Sequence, residues 1–294
     1  MDIRVLRYFL AVAQEESVSG AAQYLHLTQP TLSRQLMELE HELGKKLFIR
    51  GNRKVTLTED GLLLRKRAGE IVRLVDKTES ELQGDEGEVS GDVYIGGGET
   101  AAMRLIAGTA RALQAEYPHI RYHLFSGNGD DIMERLDKGL LDFGLLIEPV
   151  DLDKYNHFRL PVTDTWGVLM RTDNPLAEKA SIYPEDLWDA PLLISHQSMV
   201  EHSLSPWVRK EYNELNIIAT YNLLFNAALM VEAGMGCAIC LDKLANTMDT
   251  SGLCFRPLAE STGAGVDIAW KKYQVFSKAS QKFLERLQES FSTP

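Results

Sequence analysis

Three short apolar helical stripes between Met1 and Lys45, the last opened by Leu27-Thr28-Gln29-Pro30, constrain this chain more than any other feature. Leu6, Phe9, Leu10 and Ala13 fall at i, i+3, i+4 and i+7, the spacing of a core-facing helix. A second short helix is expected after Ser19, whose hydroxyl can cap it, with Ala21, Ala22 and Leu25 inward. Thr28 is a good N-cap, and Pro30 is tolerated in a first turn, where its missing N–H costs nothing. Leu32, Leu36, Leu39 and Leu43 continue the inner face until Gly44 stops the helix. Helix, helix, short turn, helix is a helix-turn-helix, whose second helix enters the DNA major groove by its N-terminal end. Gln29, Pro30, Thr31, Ser33 and Arg34 stand on that first turn and a half. Arginine can fork onto guanine, glutamine can pair with adenine, and hydroxyls reach phosphate or base edges.

Lys45, Lys46, Phe48, Arg50, Arg53 and Lys54 follow directly, around the hairpin-tip dipeptide Gly51-Asn52. Leu47-Phe48-Ile49 and Val55-Thr56-Leu57 read as the flanking strands. Alone, such a stretch is a solvated basic turn; behind a helix-turn-helix it reads as a wing on the phosphate backbone. The net charge of −11 would oppose a nucleic-acid partner if it were spread evenly. It is not: residues 1–83 hold 13 basic and 12 acidic side chains, and the remainder holds 18 and 30. A near-neutral module therefore precedes an acidic body, and any DNA contact must come from a local basic surface.

Ser19-x-Ala21-Ala22-x-x-Leu25, Thr28-Gln29-Pro30-x-Leu32-Ser33, Leu39-Glu40-x-x-Leu43-Gly44-x-x-Leu47-Phe48-x-Arg50 and Leu57-Thr58-x-x-Gly61 together resemble the LysR-type transcriptional regulators over about residues 4–61. The resemblance implies a homodimer or homotetramer whose paired winged helices bind promoter DNA. It also implies a C-terminal body that binds a small effector, and RNA polymerase as a further partner. DNA contacts are expected from Ser19, Gln29, Pro30, Thr31, Ser33, Arg34, Arg50, Asn52, Arg53 and Lys54.

Thr58, Glu59 and Asp60 suit the start of a long helix. Leu64, Ala68, Ile71, Val75, Thr78 and Leu82 alternate at spacings of four and three, a heptad seam. The stripe could pack on its own body, but its length and 3.5-residue period point to pairing with a second copy. Gly84-Asp85-Glu86-Gly87-Glu88 reads as a hinge.

From Val89 strands alternate with helices: Val93-Tyr94-Ile95, a tight loop at Gly96-Gly97-Gly98-Glu99-Thr100, a helix to Tyr117-Pro118, and a strand at Ile120-Tyr122-Leu124. Ser126-Gly127-Asn128-Gly129 precedes another helix, and Gly139 to Ile147 ends in a buried strand. This β-α-β-α-β order predicts a parallel sheet with ligands at the carboxyl ends of its strands. The pattern repeats from Trp166 to Cys240, and Val266 to Phe291 closes the chain. Tyr117-Pro118, Gly139-x-Leu141-Asp142 and Val231-x-Ala233-Gly234-x-Gly236 resemble the family's regulatory region more loosely. The implied fold class is a winged helix-turn-helix, a long linker helix and an α/β body like periplasmic binding proteins, in two subdomains. The expected boundaries are 1–58, 59–87, 88–162 plus 266–294, and 163–265.

Enzyme readings fail on their own terms. Gly96-Gly97-Gly98 lacks the full dinucleotide fingerprint, so close backbone approach to an effector accounts better for these glycines. Cys237 and Cys240 form C-x-x-C inside an apolar run where thiols are inert, and Cys254 alone does not complete a metal site. His119 and His123 sit on a strand with Arg121, and Ser195-His196 has no evident acid partner. No catalytic set, metal or cofactor is implied. With no apolar run long enough for a membrane span and no secretory leader pattern, a cytoplasmic protein is expected. The alternative is a solute-binding protein or enzyme carrying an accidental helix-turn-helix.

The expected effector contacts are Gly98, Glu99, Thr100, Asn128, Gly129, Ile147, Ser195, His196, Phe225 and Asn226. The loops at 98–100, 126–129 and 195–198 offer free backbone N–H groups, which favours a small polar or anionic ligand. Thr100 also matches the hydroxyl position that the resembled family uses in its pocket. A Glu99 carboxylate pointing inward would favour an amine or a zwitterion instead.

Overall fold

The computed structural model describes residues 1–51, 54–82, 89–196, 205–248, 251–261 and 263–291. The chain divides into two compact units, Met1–Gln83 and Gly84–Pro294.

In the first unit, helix α1 (Ile3–Glu15) starts where the Asp2 carboxylate accepts the Arg4 N–H at 2.7 Å. Helix α2 (Val18–Tyr24) is capped by Ser17 rather than Ser19: Gly20 N–H donates to Ser17 Oγ at 3.1 Å. Ser17 has the extended backbone a cap requires, and Ser19 lies exposed within the first turn. Helix α3 (Gln29–Leu43) follows Thr28 and stops at Gly44, whose φ of +65° suits a residue without Cβ. Its buried face is Leu32, Leu36 and Leu39, packed with Phe9, Val12, Ala21 and Ala22. Leu43 departs from the expectation at 39% exposed; the inner position is taken by Glu40. Strand β1 (Phe48–Arg50) pairs antiparallel with β2 (Val55–Leu57), Phe48 facing Leu57, and Leu47 anchors the hairpin in the core. Helix α4 (Glu59–Leu82) adds Ala68 and Val72 to that core.

In the second unit, β3 (Gly91–Gly97), β4 (Ile120–Ser126), β5 (Phe143–Ile147), β6 (Tyr155–Asp164) and β12 (Ala264–Lys271) form one sheet. Its order is β4-β3-β5-β12-β6. Helices α5 (Met103–Glu116), α6 (Gly129–Asp137) and α9 (Lys278–Phe291) pack on it. The second sheet is built from β7 (Trp166–Arg171), β8 (Leu192–Ser195), β9 (Ile217–Tyr221), β10 (Cys237–Leu241) and β11 (Leu253–Pro257), in the order β11-β7-β10-β8-β9. A helical turn α7 (Ser205–Val208) and helix α8 (Leu224–Glu232) complete this half. The chain passes between the sheets twice, at Thr165 and after Pro257.

The sheets are mixed, not parallel throughout. β3 runs parallel to β4 and β5, but β12 is antiparallel to both β5 and β6. β12 arrives from the other sheet and not through a helical crossover, so the parallel rule does not bind it. Gly96 and Gly97 lie inside β3, not in a loop. A Cβ on Gly96 would stand 2.4 Å from Leu141 Cδ1 and 2.8 Å from Ile132 Cδ1, so its bareness admits core side chains, not a ligand. Asp142, 1% exposed, accepts the Tyr94 N–H and the Ser280 hydroxyl, each at 2.9 Å, and so ties α9 to the sheet.

Candidate functional site

The exposed edge of α3 begins with a cap position left unused. The Thr28 hydroxyl makes no bond to the first-turn N–H groups and pairs with the Thr31 hydroxyl at 2.8 Å. Gln29, Pro30, Thr31 and Arg34 are exposed, and Ser33 is half-buried. Arg34 Nε lies 3.8 Å from Glu38 Oε1, an exposed i,i+4 pair worth little, so the guanidinium is free to swing. First-turn N–H groups without a side-chain cap form a ready anion site, as a DNA phosphate requires.

Glu40 is the residue that the sequence reading missed. Its carboxylate is buried and accepts the N–H groups of Leu47 at 2.8 Å and Phe48 at 3.3 Å, with Lys46 Nζ at 2.8 Å. Burial alone would raise its pKa; the Lys46 ammonium and the two N–H groups outweigh it and hold the carboxyl below its ordinary value. One side chain thus fixes the wing to the end of α3. The signal was available, since position 40 follows Leu36 by four residues on the inner face. In the wing, Lys54 Nζ pairs with Glu16 at 2.9 Å, and the Val55 N–H donates to the Glu16 carbonyl at 2.8 Å. Arg50 ends β1 opposite Val55; Asn52 and Arg53 lie outside the described residues.

The seam on α4 is shorter than expected. Ala68 is fully buried in its own unit's core and so is not open to a second copy, with Leu64 half-buried beside it. Val75 is half-buried, whereas Ile71, Leu74, Thr78 and Leu82 are exposed at spacings of three and four. Leu74 was not anticipated. The expected hinge at 84–88 lies outside the described residues.

In the second unit a cavity of about 110 Å³ opens at the carboxyl ends of the strands of both sheets. Gly98, Glu99, Asn128, Gly129, Ile147 and Ser195 line it, as the sequence suggested. Trp166, Tyr221, Leu224, Cys240 and Leu241 join from the second sheet and its loops, with Glu148 and Pro149 from the first. Four expected residues are elsewhere. The Thr100 hydroxyl donates to the buried Asp164 carboxylate and accepts the Ala102 N–H at 3.0 Å, which turns it away from the cavity. Burial raises the pKa of Asp164, and the Thr100 donor offsets part of that. Phe225 and Asn226 are exposed because α8 buries Leu224, Ala227 and Val231, and the next two positions after Leu224 rotate outward. His196 is exposed and does not line the cavity; Gln197 and Ser198 lie outside the described residues.

Two carboxylates line the cavity. Glu148 pairs with Arg159, whose Nη1 lies 3.1 Å from Oε2 and whose Nε also reaches Asp267 at 3.1 Å. The Glu99 carboxylate accepts the backbone N–H of Leu224, at the start of α8. At the start of α6, Asn128 Oδ1 accepts the Asp131 N–H at 2.9 Å, with Asp130 and Asp131 in the first turn. Cys237 and Cys240 lie three apart on β10 and enter different hydrophobic clusters. Burial raises the thiol pKa at both, to about 12 at Cys240, so neither is a nucleophile. His123 Nε2 and Arg121 Nε each lie 2.9 Å from Asp92 Oδ1. Among the described residues no group of three His, Cys, Asp or Glu could hold a metal, and no helix is long and apolar enough to cross a membrane.

A helix-turn-helix with a wing, joined to an α/β body with a cavity at its strand ends, defines a ligand-responsive DNA-binding regulator. Residues 3–62 match the model of the bacterial regulatory helix-turn-helix protein, lysR family, and residues 86–292 match the LysR substrate binding domain. The chain belongs to the LysR family of transcriptional regulators, and it is not an enzyme. It is 28% identical over 301 residues to the Hca operon transcriptional activator HcaR of Escherichia coli (strain K12), covering 100% of this chain and 99% of that one. It is 28% identical over 245 residues to the transcriptional activator IlvY of Salmonella typhimurium (strain LT2), covering 82% of each. Its fold is similar to full-length CbnR complexed with its target DNA, with a TM-score of 0.74 at 18% identity, covering 99% of this chain and 100% of that chain.

Proposed function

We propose that the first turn of α3 reads promoter bases and that the cavity holds a small polar effector controlling that binding. Gln29, Pro30, Thr31, Ser33 and Arg34 supply the groove contacts, while Ser19, Arg50, Asn52, Arg53 and Lys54 hold the phosphate backbone. Lys54 exchanges Glu16 for phosphate on binding. The working segments are 1–58 for DNA, 59–87 for pairing, and 88–162 plus 266–294 with 163–265 around the effector. Two copies pair through Ile71, Leu74 and Leu82, as a dimer or within a tetramer, in the cytoplasm, with RNA polymerase as the downstream partner. The anionic ligand loses part of its support, because at the loops 98–100 and 126–129 the Ala102 and Asp131 N–H groups are already met by Thr100 and Asn128.

The cavity's place at the strand ends of both sheets carries this reading. Its test is a thermal-shift screen of small polar metabolites on the intact chain and on Ser195→Trp, which fills the cavity. Effectors should stabilise the first and not the second, and both should shift DNA from upstream of the protein's own gene. Hits that persist in Ser195→Trp would place the effector elsewhere. Ile71→Asp should dissociate the oligomer in light scattering and abolish the gel shift, since it sets carboxylates against each other in an apolar seam.

A further inference from the structure

We infer that the effector presents a protonated amine to Glu99 on a short apolar body, so that the cavity selects small amphipathic amines over isosteric carboxylates. The inference rests on the effector reading of the cavity. Glu99 lies at the end of the first sheet's β3 and reaches across to the Leu224 N–H of the second half. A carboxylate offers about four acceptor positions, and that single N–H fills one. Among the described residues no Lys, Arg or His lines the cavity. Glu148 has its charge met by Arg159, whereas Glu99 meets only the partial charge of one N–H and is the lining acid with no cationic side chain paired to it among the described residues.

The remaining walls fit the same ligand. Leu145, Ile147, Leu241 and Leu244 give an apolar floor for a short hydrocarbon. Trp166 and Tyr221 add aromatic rings, whose faces attract an ammonium. The Tyr221 hydroxyl is committed to the Ile239 carbonyl at 2.5 Å, which leaves its ring as the available surface. Burial holds that phenol well above its ordinary pKa, and the Glu99 charge pushes in the same direction. An effector that fills the cavity displaces water from Glu99, and a carboxylate stripped of water needs a cation. A second carboxylate there would add like-charge repulsion to the desolvation. The start of α6 disfavours an anion, since Asn128 already accepts the Asp131 N–H and the first turn carries Asp130 and Asp131, whose charge repels it.

Glu99 could instead serve only as a clasp that caps α8 and joins the two halves. Glu99→Gln separates the roles, because its amide oxygen still accepts the Leu224 N–H while the charge is gone. The probes are 3-methylbutylamine, leucine and 4-methylpentanoate, which share one branched body and carry the amine, both groups, or the acid alone. Calorimetry and thermal shift on the intact chain should show binding of 3-methylbutylamine and none of 4-methylpentanoate. Leucine distinguishes a free amine from an amino acid as the source. Glu99→Gln should weaken amine binding at least tenfold while the chain still melts in one cooperative transition, so that the loss reads as lost charge and not lost folding. Equal binding of acid and amine, or no binding of either amine-bearing probe, overturns the inference. Amine binding lost in Ser195→Trp but unchanged in Glu99→Gln overturns the charge argument alone. Binding that survives both variants refutes the cavity as the effector site.

Discussion

Helix α3 begins with an unused cap and no acidic residue in its first turn, whereas α6 begins with Asn128 as cap and two aspartates, and α8 takes Glu99 from across the cavity. Each helix start carries the same partial positive charge from aligned peptides. On α3 that charge is left open, on the unit whose charges nearly balance. At α6 and α8 it is met by Asn128 and Glu99. A helix N-terminus is therefore an anion site only when the sequence withholds its own anion, and α3 differs in this from α6 and α8.

The contrast breaks most visibly if α3 is finished like α6. Thr31→Glu places a carboxylate in the first turn of α3, where it favours the helix by about 0.3–1 kcal/mol but repels phosphate. Operator affinity should fall by about a hundredfold, ~2.8 kcal/mol, in fluorescence anisotropy, with melting unchanged or slightly raised. Unchanged affinity would mean that this end of α3 does not meet DNA. Arg34→Ala should cost about 1–3 kcal/mol of discrimination between operator and random DNA. Equal loss on both would reduce Arg34 to a phosphate contact.

Thr100→Val probes the body's internal satisfaction. It deprives the buried Asp164 of a donor and the Ala102 N–H of its acceptor, so stability should drop by about 1–2 kcal/mol in denaturant titration. Effector affinity should hold, and a selective loss of it would return Thr100 to the cavity. The smallest effect concerns the far end of α3. Glu40 has a depressed pKa in the folded chain, so its stabilisation is present above its ordinary value of 4.5 and is lost as pH falls through the depressed one. Melting of the N-terminal unit should weaken below about pH 4.5, and Glu40→Gln should flatten that slope. An unaltered slope would remove Glu40 as its source.

The N-terminal unit was legible because its contacts are local. Leu32, Leu36 and Leu39 recur at helical spacing, and Gly44 stops the helix where the apolar stripe ends. Ser17 was mistaken for its neighbour Ser19 because a cap is defined by backbone conformation, which composition does not mark. In the body, β6 contains Pro161, which a central strand would not accommodate; it sits on the sheet edge, where proline is tolerated. The cavity was half legible for a related reason. Loops before helices located Gly98, Asn128 and Ser195, but the directions of Thr100, Phe225 and Asn226 depend on register and on partners such as Asp164. Glu99 meets Leu224 across 125 residues of sequence, a pairing that no local pattern announces.

The place of β12 has a consequence for how the protein is made. The second sheet is continuous in sequence, from Trp166 to Pro257, and can assemble as soon as that stretch leaves the ribosome. The first sheet cannot, because β6 pairs with β12 and β12 is the last strand synthesised. Until then β5 and β6 each present an open edge to the cell, a known route to misassembly. The older half of the body by order of translation is thus the younger by order of closure, and a ribosome stalled before Ala264 releases a chain with a winged helix and no finished sensor.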